Sequence, residues 1–318
     1  MPTKAHPIRG YLYIASATFF WGISASLGRA MFTGRLMPGG QALRAIDPLI
    51  LAQSRTTISF LFLLPVLILS RGRTLGLPKK DLLQTAVLGI LGVAASNYLY
   101  YLAIQKTNVA IAIIIQYTAP AWVLLYMAAR GRQRATVQRV SAVALAVIGC
   151  ALVIGIVGRG RFQVNMLGLV AAVLASFSFA FYNVGGHEIL ARYDRWKVLL
   201  YTLASAAAFW MVVNPPWKIA AAHYDGGQWL FLLVFAVTSV LLPFSLYFAG
   251  LQHLEPTNAI VASCLEPVFS IIIAAIALGE TMRPVQTVGI LVVLAAIVLV
   301  QMPEPGVKEA AAVVEPIE

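Results

Sequence analysis

Glu266 stands near the middle of the apolar run 258–278, where an ionised side chain costs at least about 2.5–3.5 kcal/mol and must face protein or a water-filled cavity. Ser263, Glu266 and Ser270 recur at i, i+3 and i+7, so a helix places them on one face. That face reads as a wall of a substrate cavity. It reads equally as a structural carboxyl that hydrogen-bonds the backbone released by Pro267, which breaks the helical ladder beside it. Pro120 interrupts the run 109–129 at an equivalent depth, with Gln116 one turn before it and Tyr117 close by. Matched interruptions point to a carrier's binding site, so Pro120 and Pro267 are expected to serve as kinks at which helices gate. The plainer alternative is that kinked membrane helices are common and that Gln116 links helices by a hydrogen bond.

Further polar stripes cross the apolar runs. Asn97, Tyr101 and Gln105 follow an i, i+4, i+8 spacing, with Tyr98 and Tyr100 beside them. The tyrosines suit an interfacial belt, whereas Asn97 lies too deep for one and should face inward. Phe179, Asn183 and His187 form a similar stripe, with His187 near a helix end where an interfacial role is expected. Trp21, Ser24 and Gly28 share a face that would serve as an aromatic wall or as a helix-packing seam. Arg55, about two turns into its helix, reads first as an anchor that snorkels to the surface. Alternatively it would attract a carboxylate while Glu266 attracts an ammonium, a pairing that suits a zwitterion. The candidate substrate-binding set is therefore Trp21, Ser24, Asn97, Tyr101, Gln116, Tyr117, Asn183, Ser263 and Glu266. No H-E-x-x-H, G-x-S-x-G or nucleotide-binding loop occurs, which argues against an intramembrane enzyme and against direct use of ATP. No metal or cofactor is expected. Cys150 and Cys264 lie deep in apolar runs and read as packing residues.

The elements that must carry these groups follow from composition. Of 318 residues, 60% are apolar and 11% charged, against about 25% charged in an ordinary soluble domain. Continuous runs near twenty residues exclude a soluble globular protein and an outer-membrane barrel, leaving an all-α membrane protein. Ten runs are legible: 11–31, 49–69, 82–104, 109–129, 140–157, 166–186, 198–213, 228–250, 258–278 and 285–301. The longest connection is 32–48, and 303–318 reads as a disordered tail. No cleavable signal is evident, so the first helix is expected to stay.

With the N-terminus inside, one set of loops holds fourteen Lys and Arg and the other eight, which places both termini in the cytoplasm. The net charge of +11 is thus assigned to membrane orientation rather than to nucleic acid. The expected partners are the bilayer and a small-molecule substrate, and a monomer suffices for transport.

A shift of 147 positions places Tyr100 on Tyr247, Gln105 on Gln252, Ala112 on Ala259 and Pro120 on Pro267. A shift of 148 matches Val137, Gln138 and Val140 with Val285, Gln286 and Val288. A shift of 158 matches Gly10, Ala17, Phe19 and Gly28 with Gly168, Ala175, Phe177 and Gly186. These matches divide the chain into five-helix repeats, 1–157 and 158–302. A unit with an odd number of crossings must be inverted in its second copy, which is the geometry of alternating access.

The chain resembles the EamA-type branch of the drug/metabolite transporter superfamily. The resemblance rests on ten helices in two halves, the pair Glu266-Pro267 in the ninth, the closing pattern Leu278-Gly279-Glu280, Gln286 and Gly289, and an arginine, Arg55, in the second helix. The first half departs from that pattern, with Arg132-Gln133 in place of the glycine-glutamate pair and Ser141 in place of the glycine. The resemblance implies a bacterial inner-membrane exporter of small metabolites, most of all amino acids including aromatic ones. A facilitative channel or an uptake permease is the alternative.

Overall fold

The computed structural model describes residues 6–33, 46–71, 75–107, 109–155, 165–278 and 281–303. The chain order is α1 (Pro7–Thr33), α2 (Pro48–Arg71), α3 (Lys79–Val87), α4 (Ala95–Lys106), α5 (Val109–Gln116), α6 (Ala119–Ala129) and α7 (Val137–Ile154). It continues with α8 (Met166–Leu190), α9 (Arg195–Val213), the short α10 (Pro216–Ala221), α11 (Gly226–Ala236), α12 (Leu242–Leu251), α13 (Pro256–Ser263), α14 (Leu265–Leu278) and α15 (Pro284–Gln301). No strand occurs among the described residues. Side-chain caps explain several starts: Thr136 accepts from the Arg139 amide, Asn165 from Leu167 and Gly168, and Asp194 from Trp196. The expected Gly279 and Glu280 fall outside the described residues, as do 34–45 and the tail beyond Pro303.

Among the described residues nine helical stretches are long and apolar enough to cross a bilayer, from Leu49–Ser70 to Pro284–Gln301. The 27-residue α1 has the length, but is interrupted by Gly, Ser and Thr and is not one of the nine. Large apolar side chains such as Leu69, Val212 and Ile276 point outward, as a lipid-facing surface requires. Four of the expected runs are not plain α-helices. Lys79–Lys106 contains a π-helical stretch at Leu88–Ala94, and Gly226–Leu251 contains one at Val237–Leu241. The other two are broken at the prolines, between α5 and α6 and between α13 and α14. A hydrophobic run reports length and polarity, neither of which changes when one turn widens or breaks.

Residues matched across the halves make corresponding contacts. Gln138, in the first turn of α7, donates to the Leu299 and Met302 carbonyls at the end of α15, at 2.8 and 2.7 Å. Gln286, in the first turn of α15, donates to the Val153 carbonyl at the end of α7, at 3.0 Å. Each glutamine thereby satisfies carbonyls that the partner helix's end leaves unpaired. A Cβ on Gly10 would meet Leu254 and His253, whereas one on Gly168 would meet Thr107 and Lys106, the residues 147 positions earlier.

The α7 and α15 pair is closed by glycine. A Cβ on Gly289 would lie 2.6 Å from the Val153 amide nitrogen, and one on Gly149 2.9 Å from that of Val293. Backbone cannot yield as a side chain can, so Gly289→Val must force the helices apart. The expected cost is about 2–3 kcal/mol, read as a lower thermal midpoint of the purified protein in detergent. An unchanged midpoint would refute the close approach.

Polar ties lace the end of the bundle that carries the 130–136 and 252–255 turns. Arg132 pairs with Glu188, while Gln133 is buried, donating to Glu255 and accepting from the Thr257 hydroxyl. Two of the three residues that depart from the family pattern, Arg132 and Gln133, thus tie this turn to α8 and α13. Nearby, His253 stacks on Tyr13 with ring centroids 6.0 Å apart, and its Nδ1 is buried without a partner among the described residues. Burial, followed by the charges of His6, Arg9 and Arg195, pushes the His253 imidazole below its ordinary value. The folded state therefore favours neutral His253. Its contribution to stability is full above the unperturbed value of about 6.5 and is lost as pH falls through the depressed one. The thermal midpoint should decline on acidification below about 6.5, and His253→Gln should flatten that decline.

Candidate functional site

The two helix breaks create the candidate site. Proline has no N–H, so Pro120 cannot bond the Gln116 carbonyl and Pro267 cannot bond that of Ser263. The chain turns there with i to i−3 bonds, Thr118 to Ile115 at 3.0 Å and Cys264 to Val261 at 3.1 Å. Both prolines then fall in the first turn of the next helix, α6 or α14, where the missing donor costs least. Glu266 also lies in the first turn of α14, at the positive end of that helix's dipole.

Tyr117, at the first break, lies beside Glu266 at the second, so the two breaks stand next to each other. The first break is held to α8 by the Trp122 indole, which donates to the Ser176 hydroxyl at 3.0 Å and stacks on Phe177 with centroids 4.2 Å apart. At the second, Tyr247 interacts through its hydroxyl with both Asn183 and Ser263.

Arg55 corrects an expectation. Rather than snorkelling, its guanidinium turns inward, donates to the Asn97 side-chain oxygen and lies 5.9 Å from the centroid of the Tyr101 ring. Asn97 is itself fixed, its amide donating at 2.8 Å to the Val93 carbonyl inside the π-helical stretch. The Tyr101 ring in turn meets Tyr100 edgewise, with centroids 5.6 Å apart. Tyr100 is half-buried. One inward cluster contains Arg55, Asn97, Tyr100, Tyr101, Tyr117 and Glu266, with Tyr247, Ser263 and Asn183 adjoining it.

Other candidates have quieter positions. Asn183 is fully buried and has both ends of its amide occupied, by the Phe179 carbonyl and the Tyr247 hydroxyl. Ser24 donates to Phe20 of its own helix at 2.8 Å, and Trp21 packs edgewise on Phe244 and against Tyr247. Gln116 is half-buried and Gln105 is exposed. His187 bonds the Leu251 carbonyl at 3.0 Å, tying the last turn of α8 to the end of α12. Tyr247 was missing from the candidate set; its signal was the match to Tyr100. Cys150 and Cys264 are both free and buried, as packing residues should be. Among the described residues no group of three His, Cys, Asp or Glu could hold a metal ion.

Comparison with known proteins places this geometry. The profile of the EamA-like transporter family matches the chain twice, over residues 8–155 and 166–302. The uncharacterized inner membrane transporter YicL of Salmonella typhimurium is 23% identical over 296 residues, covering 92% of this chain and 95% of that one. The threonine/homoserine exporter RhtA of Escherichia coli is 27% identical over 205 residues, covering 63% and 65%. A solved crystal structure superposes with a TM-score of 0.71 at 18% identity, covering 92% of this chain and 97% of the other, which shows a common fold. Two profile matches that together take in nearly every described helix identify this multi-pass membrane protein as a member of the EamA-like transporter family.

Proposed function

We propose that the protein is an inner-membrane carrier that exports small metabolites, amino acids with aromatic ones included, by alternating access through a central site. The observation that carries this reading is the meeting of two broken helices at Tyr117 and Glu266, with Arg55 and Asn97 beside them. Broken helices expose backbone dipoles and polar side chains to a solute at mid-membrane without exposing them to lipid. Opposite charges within reach of each other and aromatic walls suit a zwitterion. The printed function of RhtA supports amino-acid export.

In this proposal the chain has ten crossings, residues 1–157 and 158–302 form two inverted repeats, and both termini are cytoplasmic. Exchange of conformation between the repeats opens the site to each side in turn. The substrate set drawn from sequence, from Trp21 to Glu266, is centred on Asn97, Tyr101, Tyr117 and Glu266, with Pro120 and Pro267 as the bending points.

Purified protein in liposomes should take up labelled amino acid against an outward gradient of the unlabelled one, and uptake should saturate. Linear flux without counterflow would favour a facilitative channel and overturn the carrier. Faster loss of preloaded amino acid from cells that hold the protein than from cells without it separates an exporter from an uptake permease.

A further inference from the structure

We infer that Arg55, aimed by Asn97 and Tyr101, is the seat for one carboxylate group of the carried solute. This rests on the carrier reading and deepens it, naming the solute class as compounds with a single carboxylate.

The guanidinium has five N–H donors in a planar fork. One side of the fork is engaged, donating to the Asn97 oxygen. The Nε–H is buried and has no hydrogen-bond partner among the described residues. Both recorded neighbours of the guanidinium, the Asn97 amide and the Tyr101 ring, are uncharged, so neither neutralises it. Among the described residues no ion pair joins Arg55 to an acidic side chain. A cation inside a membrane protein with an open donor edge and no contacting anion is poised to accept one. Carboxylate fits that edge, since a planar acceptor with two oxygens can take two N–H bonds side by side. A phosphate dianion fits less well, with one arginine to receive it and the Glu266 carboxyl within range to repel it.

The support of Arg55 is built in depth. The Asn97 oxygen holds the guanidinium, while the Asn97 amide is anchored to Val93 where the π-helical turn alters the backbone. That chain of contacts fixes the direction of the fork before any solute arrives. A solute whose carboxylate sits on Arg55 would turn an ammonium, where it has one, toward Glu266 and Tyr117.

The test measures binding in detergent by thermal stabilisation, using a panel of amino acids and simple monocarboxylates, each beside its own amide. Wild type should prefer at least one carboxylate to its amide by roughly 10- to 100-fold, the worth of charge-assisted hydrogen bonds. Arg55→Gln should bring that ratio near one, and Arg55→Lys should leave it intermediate because the charge stays and the fork is lost. Asn97→Asp covers the case in which Arg55→Gln fails to fold. It retains the cation but supplies an internal carboxylate, so it should fold and lose the preference. Equal binding of every carboxylate and its amide by wild type would overturn the seat, as would a preference that survives in Arg55→Gln or Asn97→Asp. Arg55-dependent carboxylate binding without counterflow in liposomes would refute the carrier and leave the seat standing.

Discussion

Glu266→Gln is expected to fold normally and to bind an amino-acid substrate roughly 10- to 100-fold more weakly, the loss that follows when one partner of a charge-assisted hydrogen bond becomes neutral. Glutamine preserves the shape of the side chain and still offers an acceptor oxygen, so the packing of the two breaks survives. What disappears is the capacity to carry a charge opposite Arg55. Binding isotherms and counterflow on the same preparation separate the roles open to the carboxyl. Weakened binding with an unchanged response to a pH gradient marks an ammonium site. Intact binding with that response abolished marks a proton-coupling group. Wild-type affinity, rate and pH response would reduce Glu266 to a support for the bend at Pro267.

The fold was legible because the bilayer makes length and polarity decisive: a run near twenty apolar residues has few structural options. Even the pairing of Gln138 with Gln286 could be read from sequence as a match, although only the structure shows why it matters, each residue capping the other's helix. The site was legible in part. Glu266 and Asn97 announced themselves because a polar group at depth must face inward, and both do. Arg55 was misread because arginine near a helix end is free to snorkel or to turn inward, and the choice depends on which helix stands beside it. Asn97 on α4 decides it. The π-helical stretches left no signal, because Leu88–Ala94 and Val237–Leu241 are as apolar as a regular helix; their effect is to reset the face on which the following residues emerge.

Replacing both prolines with alanine should uncouple stability from transport. Alanine supplies the N–H that Pro120 and Pro267 lack, allowing the Gln116 and Ser263 carbonyls to regain helical partners. The doubly substituted protein should be as stable as wild type or more so, by about 1 kcal/mol per restored bond. Transport should fall by tenfold or more, since a bend that lets α5 move against α6, and α13 against α14, becomes a stiffer helix. That tenfold corresponds to about 1.4 kcal/mol on the barrier to exchange, about the worth of one such restored hydrogen bond. Turnover is compared at saturating substrate, because Tyr117 and Glu266 lie at the breaks and binding reports separately on them. Counterflow rate set against binding affinity in the single and double variants is the measurement. Each single variant should slow exchange on its own, because the two breaks meet at one contact and both must bend for the site to change sides. Wild-type turnover in Pro120→Ala/Pro267→Ala would confine the prolines to a static role and remove bending at the breaks from the transport cycle.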